Sequence, residues 1–167
     1  MKLKEILIAV AVIGIIGIVG LIWVAPWEGD KAPEVTFTTL DGDRVQLAEL
    51  RGAPQLITFW ATDCVTCVQE IPHLKNLHAE FSDEGFNVIA IAMSHDQRRQ
   101  IEAMAEDREM NYPIVLDNDG SLARAFGDVR LTPTTFLVSP RGNILQRRLG
   151  MFDENQMRRE IRRLLDS

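Results

Sequence analysis

Apolar and polar residues follow two different spacings beyond residue 35, and together they predict an α/β domain. The segments QLITFW (55–60) and FNVIAIAM (86–93) are almost continuously apolar, as expected for strands buried on both faces. Between them, residues 64–83 repeat apolar positions every three or four residues, which predicts a helix with a kink at Pro72. Strands therefore alternate with helices along the chain.

Hairpins are predicted at both ends of this domain. VTFTTLDGDRVQL alternates apolar and polar residues on either side of Asp41-Gly42, which is a strong turn signal. TTFLVSPRGNILQRRL carries Pro140 and Gly142 where a type I turn favours them. With YPIVLD as a further short extended segment, the pattern predicts a mixed central sheet flanked by helices.

Polar residues before the remaining helices predict their starts. Ser94 or Asp96 is the expected cap of the helix that follows the second strand. Ser121 is expected to cap a brief helix that ends at Gly127, and Asp153 to cap the closing helix.

The N-terminal segment predicts a membrane anchor. Residues 6–27 are 22 positions without a charged side chain, and roughly 20 apolar residues span a bilayer. A cleavable signal peptide is the alternative, but its apolar core is about 7 to 15 residues and ends at a small-x-small site, where this chain has Trp23. We therefore predict a cytoplasmic N-terminus and uncleaved anchor in residues 1–27, a linker in 28–34 and one domain in 35–167.

Charges on the two sides of the apolar segment predict its orientation. Lys2 and Lys4 precede it, whereas Glu28, Asp30 and a single Lys31 follow it. Because positive flanks stay in the cytoplasm, the domain is expected outside it, in the periplasm or on the outer face of a single-pass cell-membrane protein.

The net charge argues against nucleic-acid binding. The chain has a formal charge of −6 at pH 7, and affinity for phosphate backbones requires clustered Lys and Arg. Its one basic cluster is predicted to be the solvent-facing side of the last helix and consists of Arg158, Arg159, Arg162 and Arg163.

Cys64 and Cys67 are the only two cysteines, and their spacing is compatible with three roles. A structural disulfide is the weakest, because it would close almost no loop and so stabilise by less than the roughly 3 kcal/mol of a 15-residue loop. A zinc site needs four ligands, and the three available histidines lack the required spacing. Those histidines are expected at the surface, and they are His73, His78 and His95.

A redox role fits both the spacing and the position of the pair. A cysteine in the first turn of a helix faces unpaired N–H groups and the positive end of the helix dipole, which favours the thiolate. Cys64 is then the attacking thiolate, and the more buried Cys67 resolves the mixed disulfide.

The sequence around this pair resembles a known family. FWATDCVTCVQEIP matches every fixed position of the pattern F-W-A-T-x-C-x-x-C-x-x-E-x-P, and it is joined by APEVTFTTLDGDRVQLAELRG before it and LTPTTFLVSPRGNI after it. These segments are similar to the membrane-anchored thioredoxin-like proteins of the TlpA/ResA type. The resemblance implies a thioredoxin-like fold, with the N-terminal hairpin and an inserted helix before YPIVLD.

The resemblance also implies roles for residues outside the cysteine pair. Pro133 falls where thioredoxin-like folds hold a cis proline beside the disulfide, and Thr132 is the expected backbone contact for a substrate. Trp60 belongs to the same pattern and is grouped with the tuning or substrate-contact positions. Glu70 matches an acidic residue that tunes the cysteines, although a helix-surface glutamate is an equal alternative, because Thr58 occupies the position where thioredoxin keeps a buried carboxylate.

Asp63 departs from the family, which usually has Trp there. The side chain is expected to cap the helix that starts at Cys64. It also places a negative charge next to the sulfur, which opposes the effect of the helix dipole on the thiolate. The sequence leaves open which effect dominates.

These features predict a membrane-tethered thiol-disulfide oxidoreductase outside the cytoplasm. By resemblance it reduces protein disulfides, either in cytochrome c maturation or in other exported proteins, and needs no cofactor or metal. Its expected partners are a protein disulfide substrate, a membrane electron-donor protein and the lipid bilayer through residues 6–27, with no nucleic acid.

Three alternatives compete with this prediction. A peroxiredoxin-like peroxidase would require P-x-x-x-T-x-x-C, but Thr62 lies only two residues before Cys64. A copper-binding assembly factor of the similar Sco type would use C-x-x-x-C and a histidine just before Pro133, and both are missing. A non-catalytic interaction domain is the third alternative, because of Asp63.

Overall fold

The computed structural model of the protein describes residues 29–166, which fold around one five-stranded sheet. The predicted cytoplasmic end and anchor lie outside these residues. Within the part that is described, no helix is both long and apolar enough to cross a bilayer. The strands in chain order are β1 (Thr36–Thr38), β2 (Arg44–Gln46), β3 (Gln55–Trp60), β4 (Asn87–Ala92), β5 (Ile114–Leu116), β6 (Thr134–Val138) and β7 (Ile144–Leu149).

Four α-helices connect or follow these strands. Two short 3-10 helices, Leu47–Leu50 and Ser82–Glu84, lie before β3 and before β4. The α-helices are α1 (Val65–Phe81), α2 (Arg98–Asp107), α3 (Ser121–Ala125) and α4 (Glu154–Leu165). Helix α2 lies between β4 and β5, where the resemblance implied an inserted helix.

The central sheet is mixed, as predicted, with the order β5-β4-β3-β6-β7. Strand β3 is parallel to β4 and antiparallel to β6, whereas β1 and β2 form the separate N-terminal hairpin. The register pairs Trp60 with Ala92 and Phe59 with Thr134. The residues that follow β3 and β4 and those that precede β6 therefore meet at one edge of the sheet.

Both faces of β3 and β4 are buried, which explains why their sequences are continuously apolar. Leu56 and Trp60 face the core cluster that also contains Phe81 and Ile161 of helices α1 and α4. The alternate residues of β3 face a second cluster on the other side of the sheet, in which Phe59, Phe126 and Phe136 pack ring against ring.

Helix α4 is held on α1 by apolar contacts and by ion pairs. Arg158 Nε lies 2.7 Å from Glu80 Oε2, and Arg162 Nη1 lies 2.7 Å from Glu84 Oε2. Two arginines of the predicted solvent-facing cluster are therefore paired with acidic residues of α1 and of the 3-10 helix that follows it, while Arg159 and Arg163 are exposed as expected.

One predicted helix cap is confirmed and two are wrong. Asp153 accepts a hydrogen bond from Gln156 N (2.7 Å) and caps α4. Helix α2 instead follows Gln97, whose side chain makes no capping hydrogen bond. Asp96 does not cap the helix, because its carboxylate binds Thr62. Helix α3 starts at Ser121 itself, after Gly120 in the left-handed region (φ 71°).

The helix α3 is capped from a distance by Asp117. This buried carboxylate accepts hydrogen bonds from Leu122 N (3.0 Å) and Ala123 N (2.8 Å). The two bonds join the end of β5 to a helix that covers the second core cluster.

We expect Asp117→Ala to lower the free energy of unfolding by about 3 kcal/mol, because two charge-assisted hydrogen bonds are lost and two buried N–H groups are left without partners. Denaturant unfolding measures the change. Asp119→Ala is the matched control, since it removes an exposed carboxylate whose partner is the exposed Ser121, and its effect should stay below about 1 kcal/mol. Equal effects of the two substitutions would contradict the assigned role of Asp117.

Candidate active site

Cys64 is the N-cap of helix α1, and its sulfur is the capping atom. Its backbone is extended (φ −88°, ψ 101°), and Sγ accepts a hydrogen bond from Cys67 N at 3.2 Å. Cys64 and Cys67 form a disulfide with a Cα–Cα distance of 5.2 Å. Cys64 is partly exposed, whereas Cys67 is buried. Cys64 is thus the sulfur of the pair that another molecule can reach.

Asp63 does not cap the helix, so that prediction is wrong. The sulfur of Cys64 already occupies the capping position. The Asp63 side chain is 78% exposed, and its Oδ1 lies 3.7 Å from Nε2 of His95, which follows β4. Its charge therefore remains beside Cys64 at the protein surface.

Asp96 positions the turn before the cysteines, a role that the sequence did not indicate. Its carboxylate accepts from Thr62 N (2.9 Å) and from Thr62 Oγ1 (2.7 Å). Cys64 N donates to Ala61 O within the same turn. These bonds connect the turn to the end of the neighbouring strand, so the sulfur is held by two strands rather than by one.

Pro133 approaches the same edge of the sheet from β6. The Thr132–Pro133 peptide bond is cis, as the resemblance implied. Pro133 O accepts from Gly150 N (2.8 Å), and Leu131 O accepts from Thr134 Oγ1 (2.7 Å). Thr132 itself is partly exposed and makes no hydrogen bond with the rest of residues 29–166. Its backbone N–H and C=O are available to a bound molecule.

Glu70 is buried beneath the disulfide, so the alternative of a surface glutamate is wrong. It lies three residues after Cys67 on α1 and is only 1% exposed. Its Oε1 accepts from Phe152 N (3.1 Å), in the segment between β7 and α4. Burial raises the pKa of Glu70 to about 7, although the Phe152 hydrogen bond opposes the shift.

Tyr112 interacts electrostatically with Glu70, and two threonines form a neutral polar pair elsewhere in the core. Burial, followed by the nearby charge of Glu70, raises the pKa of Tyr112. Thr58 and Thr135 form a buried hydroxyl pair (3.0 Å) in the centre of the sheet. Thr58 is the residue at the position where thioredoxin keeps a buried carboxylate. Glu70 is thus the buried carboxylate nearest in sequence to the cysteines.

Trp60 belongs to the core and not to the surface of the site. It is 3% exposed and lies in the same core cluster as Cys67. The sequence analysis gave Trp60 two possible roles, tuning of the cysteines or contact with a substrate. Its burial argues against direct contact with a substrate, so packing beneath the cysteine pair is the role that remains.

The three histidines lie in three different environments. His95 is exposed as expected, but His73 and His78 are half-buried, near Glu154 and Tyr112 respectively. In residues 29–166, one group with metal-ligand geometry occurs, formed by Asp63, His95 and Asp96 with ligand atoms within 4.8 Å of one another. Asp96 already accepts two bonds from Thr62, so we assign no ion to this group.

Comparison with known proteins identifies the family. Residues 27–165 match the Redoxin family. The chain belongs to the redoxin family.

Relatives of this redoxin carry names that agree with the chemistry of its cysteines. The thiol-disulfide oxidoreductase ResA of Bacillus subtilis is 29% identical over 130 residues, which is 78% of this chain and 72% of the relative. The thioredoxin-like protein YneN of the same organism is 29% identical over 136 residues, with 80% and 78% coverage. A solved structure from Chlorobium tepidum, a thiol:disulfide interchange protein of the thioredoxin family, is 25% identical, with a TM-score of 0.76 over 84% of this redoxin and 99% of that chain.

These findings confirm the TlpA/ResA-type thioredoxin-like family and the thioredoxin-like fold. They also confirm the enzyme class. The redoxin is a thiol-disulfide oxidoreductase of the ResA/DsbE type with a C-x-x-C pair at Cys64 and Cys67.

The buried Glu70 makes a specific prediction about pH. Its pKa is about 7 in the folded redoxin, against an ordinary value of 4.5. A carboxyl group whose folded pKa is raised contributes stability below its unfolded value, and that stability is lost as the pH rises through the folded value. In the oxidised protein, stability relative to Glu70→Gln should therefore fall by roughly 3 kcal/mol between about pH 4.5 and pH 8.

Denaturant unfolding of oxidised wild type and Glu70→Gln across this pH range measures the difference. Glu102→Gln, which alters an exposed glutamate on α2 paired with Arg98, should retain the pH dependence of the wild type. Parallel stability curves for wild type and Glu70→Gln would show instead that folding does not raise the pKa of Glu70.

Proposed function

We propose that this redoxin reduces disulfides of exported proteins from the outer face of a membrane. The observation that carries the proposal is the arrangement of the two sulfurs, with Cys64 partly exposed at the start of α1 and Cys67 buried behind it. That order suits a dithiol in which one sulfur attacks and the other resolves. Reduction, rather than oxidation, is taken from the family resemblance.

The reaction transfers two electrons from the reduced pair to the client. The Cys64 thiolate attacks one sulfur of the client disulfide, and the other client sulfur leaves as a thiolate that takes a proton from solvent. Cys67 then loses its proton and attacks Cys64 Sγ, which releases the second client sulfur. The products are a client dithiol and the Cys64–Cys67 disulfide.

Glu70 is the proposed proton acceptor for the second step. It lies on the same face of α1 as Cys67, one turn further along the helix, and its pKa of about 7 leaves it partly ionised near neutral pH. Asp63 and Thr132 are proposed to act at the surface, where Asp63 adds charge beside Cys64 and the Thr132 backbone pairs with the client.

The compartment and the partners are also proposals. The apolar residues 6–27 support a single-pass anchor with the domain outside the cytoplasm. Since exported compartments are oxidising, a reductase there needs a dithiol electron donor in the membrane. We propose that no cofactor or metal takes part, and that the clients are apoproteins of cytochrome c maturation or other exported proteins.

Substitution of the two cysteines tests the mechanism. Cys64→Ala should abolish reduction of an insulin disulfide, because the attacking sulfur is gone. Cys67→Ala should still attack but should accumulate a mixed disulfide, since nothing resolves it. Turnover, and non-reducing electrophoresis of the trapped species, measure the two outcomes, and full activity of Cys64→Ala would sink the mechanism. The reduction potential of the pair then separates a reductase from an oxidase.

Fractionation of cells that express the chain tests the anchor. Full-length protein should remain in the membrane pellet through a high-salt wash, with the domain digested by protease added outside the cytoplasmic membrane. Residues 28–167 without the apolar segment should be soluble. Recovery of a soluble form of the full chain that has lost its N-terminus on export would instead show a cleaved signal peptide.

A further inference from the structure

Large apolar side chains on the surface are concentrated around the disulfide. Of the five that are exposed in residues 29–166, four lie at this end of the sheet and are between 43% and 72% exposed. We name them the apolar rim, and they are Val65, Leu131, Leu149 and Met151. The fifth, Leu145, lies at the opposite end of β7. Clustered exposed apolar residues mark interaction sites, whereas single ones do not.

The hydrogen bonds of the site hold the rim together. Val65 lies between the two cysteines, and Leu131 precedes Thr132 and the cis proline. Leu149 is paired with Thr134 in the β6–β7 register, and the next residue, Gly150, donates to Pro133 O. Met151 follows, directly before Phe152, whose N–H binds Glu70 under the disulfide. Three separate segments thus bring apolar side chains to the end of the sheet at which Cys64 lies.

A negative charge lies next to Cys64 on the side of β4. Asp63 directly precedes the cysteine, is 78% exposed and forms an ion pair with the exposed His95 at 3.7 Å, with the Asp96 carboxylate within 4.8 Å of the same group. An exposed pair of this kind contributes little, so a stronger cation can replace the histidine. Asp96 is not available for this purpose, because both of its oxygens accept from Thr62.

The backbone next to the rim is ready to pair with an extended chain. The N–H and C=O of Thr132 have no partner among the residues that the structure describes, and the residue is partly exposed. An extended peptide bound in this way places successive side chains on opposite sides. Side chains near its cysteine can then contact the apolar rim on one side and Asp63 on the other.

We propose that the apolar rim and Asp63 select the client. The occupant is an extended segment of a polypeptide whose disulfide-bonded cysteine has a large aliphatic neighbour, which packs on Leu131 and Leu149, and a nearby Lys or Arg, which pairs with Asp63. This inference rests on the proposed reductase activity and specifies its substrate class. The electron and proton transfers are those of the reaction above, and the sulfur that Cys64 attacks is the one in this segment.

A set of peptide disulfides tests the selection with the full-length redoxin in detergent micelles. The reference peptide has Leu and Lys near its cysteine, and two others replace Leu with Ser or Lys with Glu. A small disulfide without flanking residues, 2-hydroxyethyl disulfide, reports whether the cysteine pair reacts at all. The quantity compared is the ratio of kcat/KM between peptides, which cancels differences in the amount of active protein.

The wild type should prefer the Leu peptide over the Ser peptide by about tenfold, which corresponds to about 1.4 kcal/mol and is less than full burial of one leucine provides. Leu149→Ser and, independently, Leu131→Ser should remove most of this preference. Leu145→Ser is the matched control, because it removes an equally large exposed leucine at the opposite end of β7, and it should leave the preference intact. Asp63→Asn should remove the preference for Lys over Glu, which should also weaken with added salt.

The outcomes separate this inference from the proposed function. A wild-type protein that reduces neither the peptides nor 2-hydroxyethyl disulfide would refute the reductase activity itself. Equal reduction of all peptides by an active wild type would overturn only the client selection. The client selection would also be overturned if the full chain were a dimer and Leu149→Ser converted it to a monomer without changing the peptide preference. The apolar rim would then bind a second copy of the chain.

Discussion

Strand β3 is hydrogen-bonded along both edges and buried on both faces, and the geometry of the active site depends on this constraint. Because β4 runs parallel to β3, the residues after both strands emerge together, which brings Asp96 to the turn before Cys64. Because β6 runs antiparallel, the cis proline that precedes it reaches the same edge. Helix α1 then returns along one face of the sheet and places Cys67 and Glu70 over the core.

The balance between burial and hydrogen bonding explains the protonation of Glu70. A buried carboxylate needs several donors to remain charged, and Glu70 has one backbone donor, Phe152 N–H. That single bond is weaker than the cost of removing water, so the proton is retained to about pH 7. In the centre of the sheet, the neutral Thr58–Thr135 pair satisfies two buried hydroxyl groups without any charge. Glu70 is therefore a buried carboxyl group that titrates near neutral pH, one helical turn from Cys67.

The features that were predicted correctly from the sequence are determined by residues close together along the chain. The apolar runs of β3 and β4, the Asp41-Gly42 hairpin and the C-x-x-C motif are local patterns, and each is present in the structure. Some of the errors concern side chains whose partners lie far away along the chain. Asp96 binds a residue 34 positions earlier and Glu70 one 82 positions later, so neither bond leaves a sequence signature. The error at Asp63 is local, because the sulfur of the next residue accepts the Cys67 N–H and so occupies the capping position.

The sulfur of Cys64 has two tasks that are usually given to different atoms. It reacts with disulfides, and it also accepts the Cys67 N–H at the start of α1, so one atom serves both the chemistry and the folding of this helix. Replacing it with alanine removes a helix cap together with the nucleophile, and caps contribute about 1 kcal/mol. Serine keeps an oxygen in the capping position without the redox chemistry. An inactive form for structural work with bound clients is therefore better made with serine than with alanine, because only the reactivity is then lost.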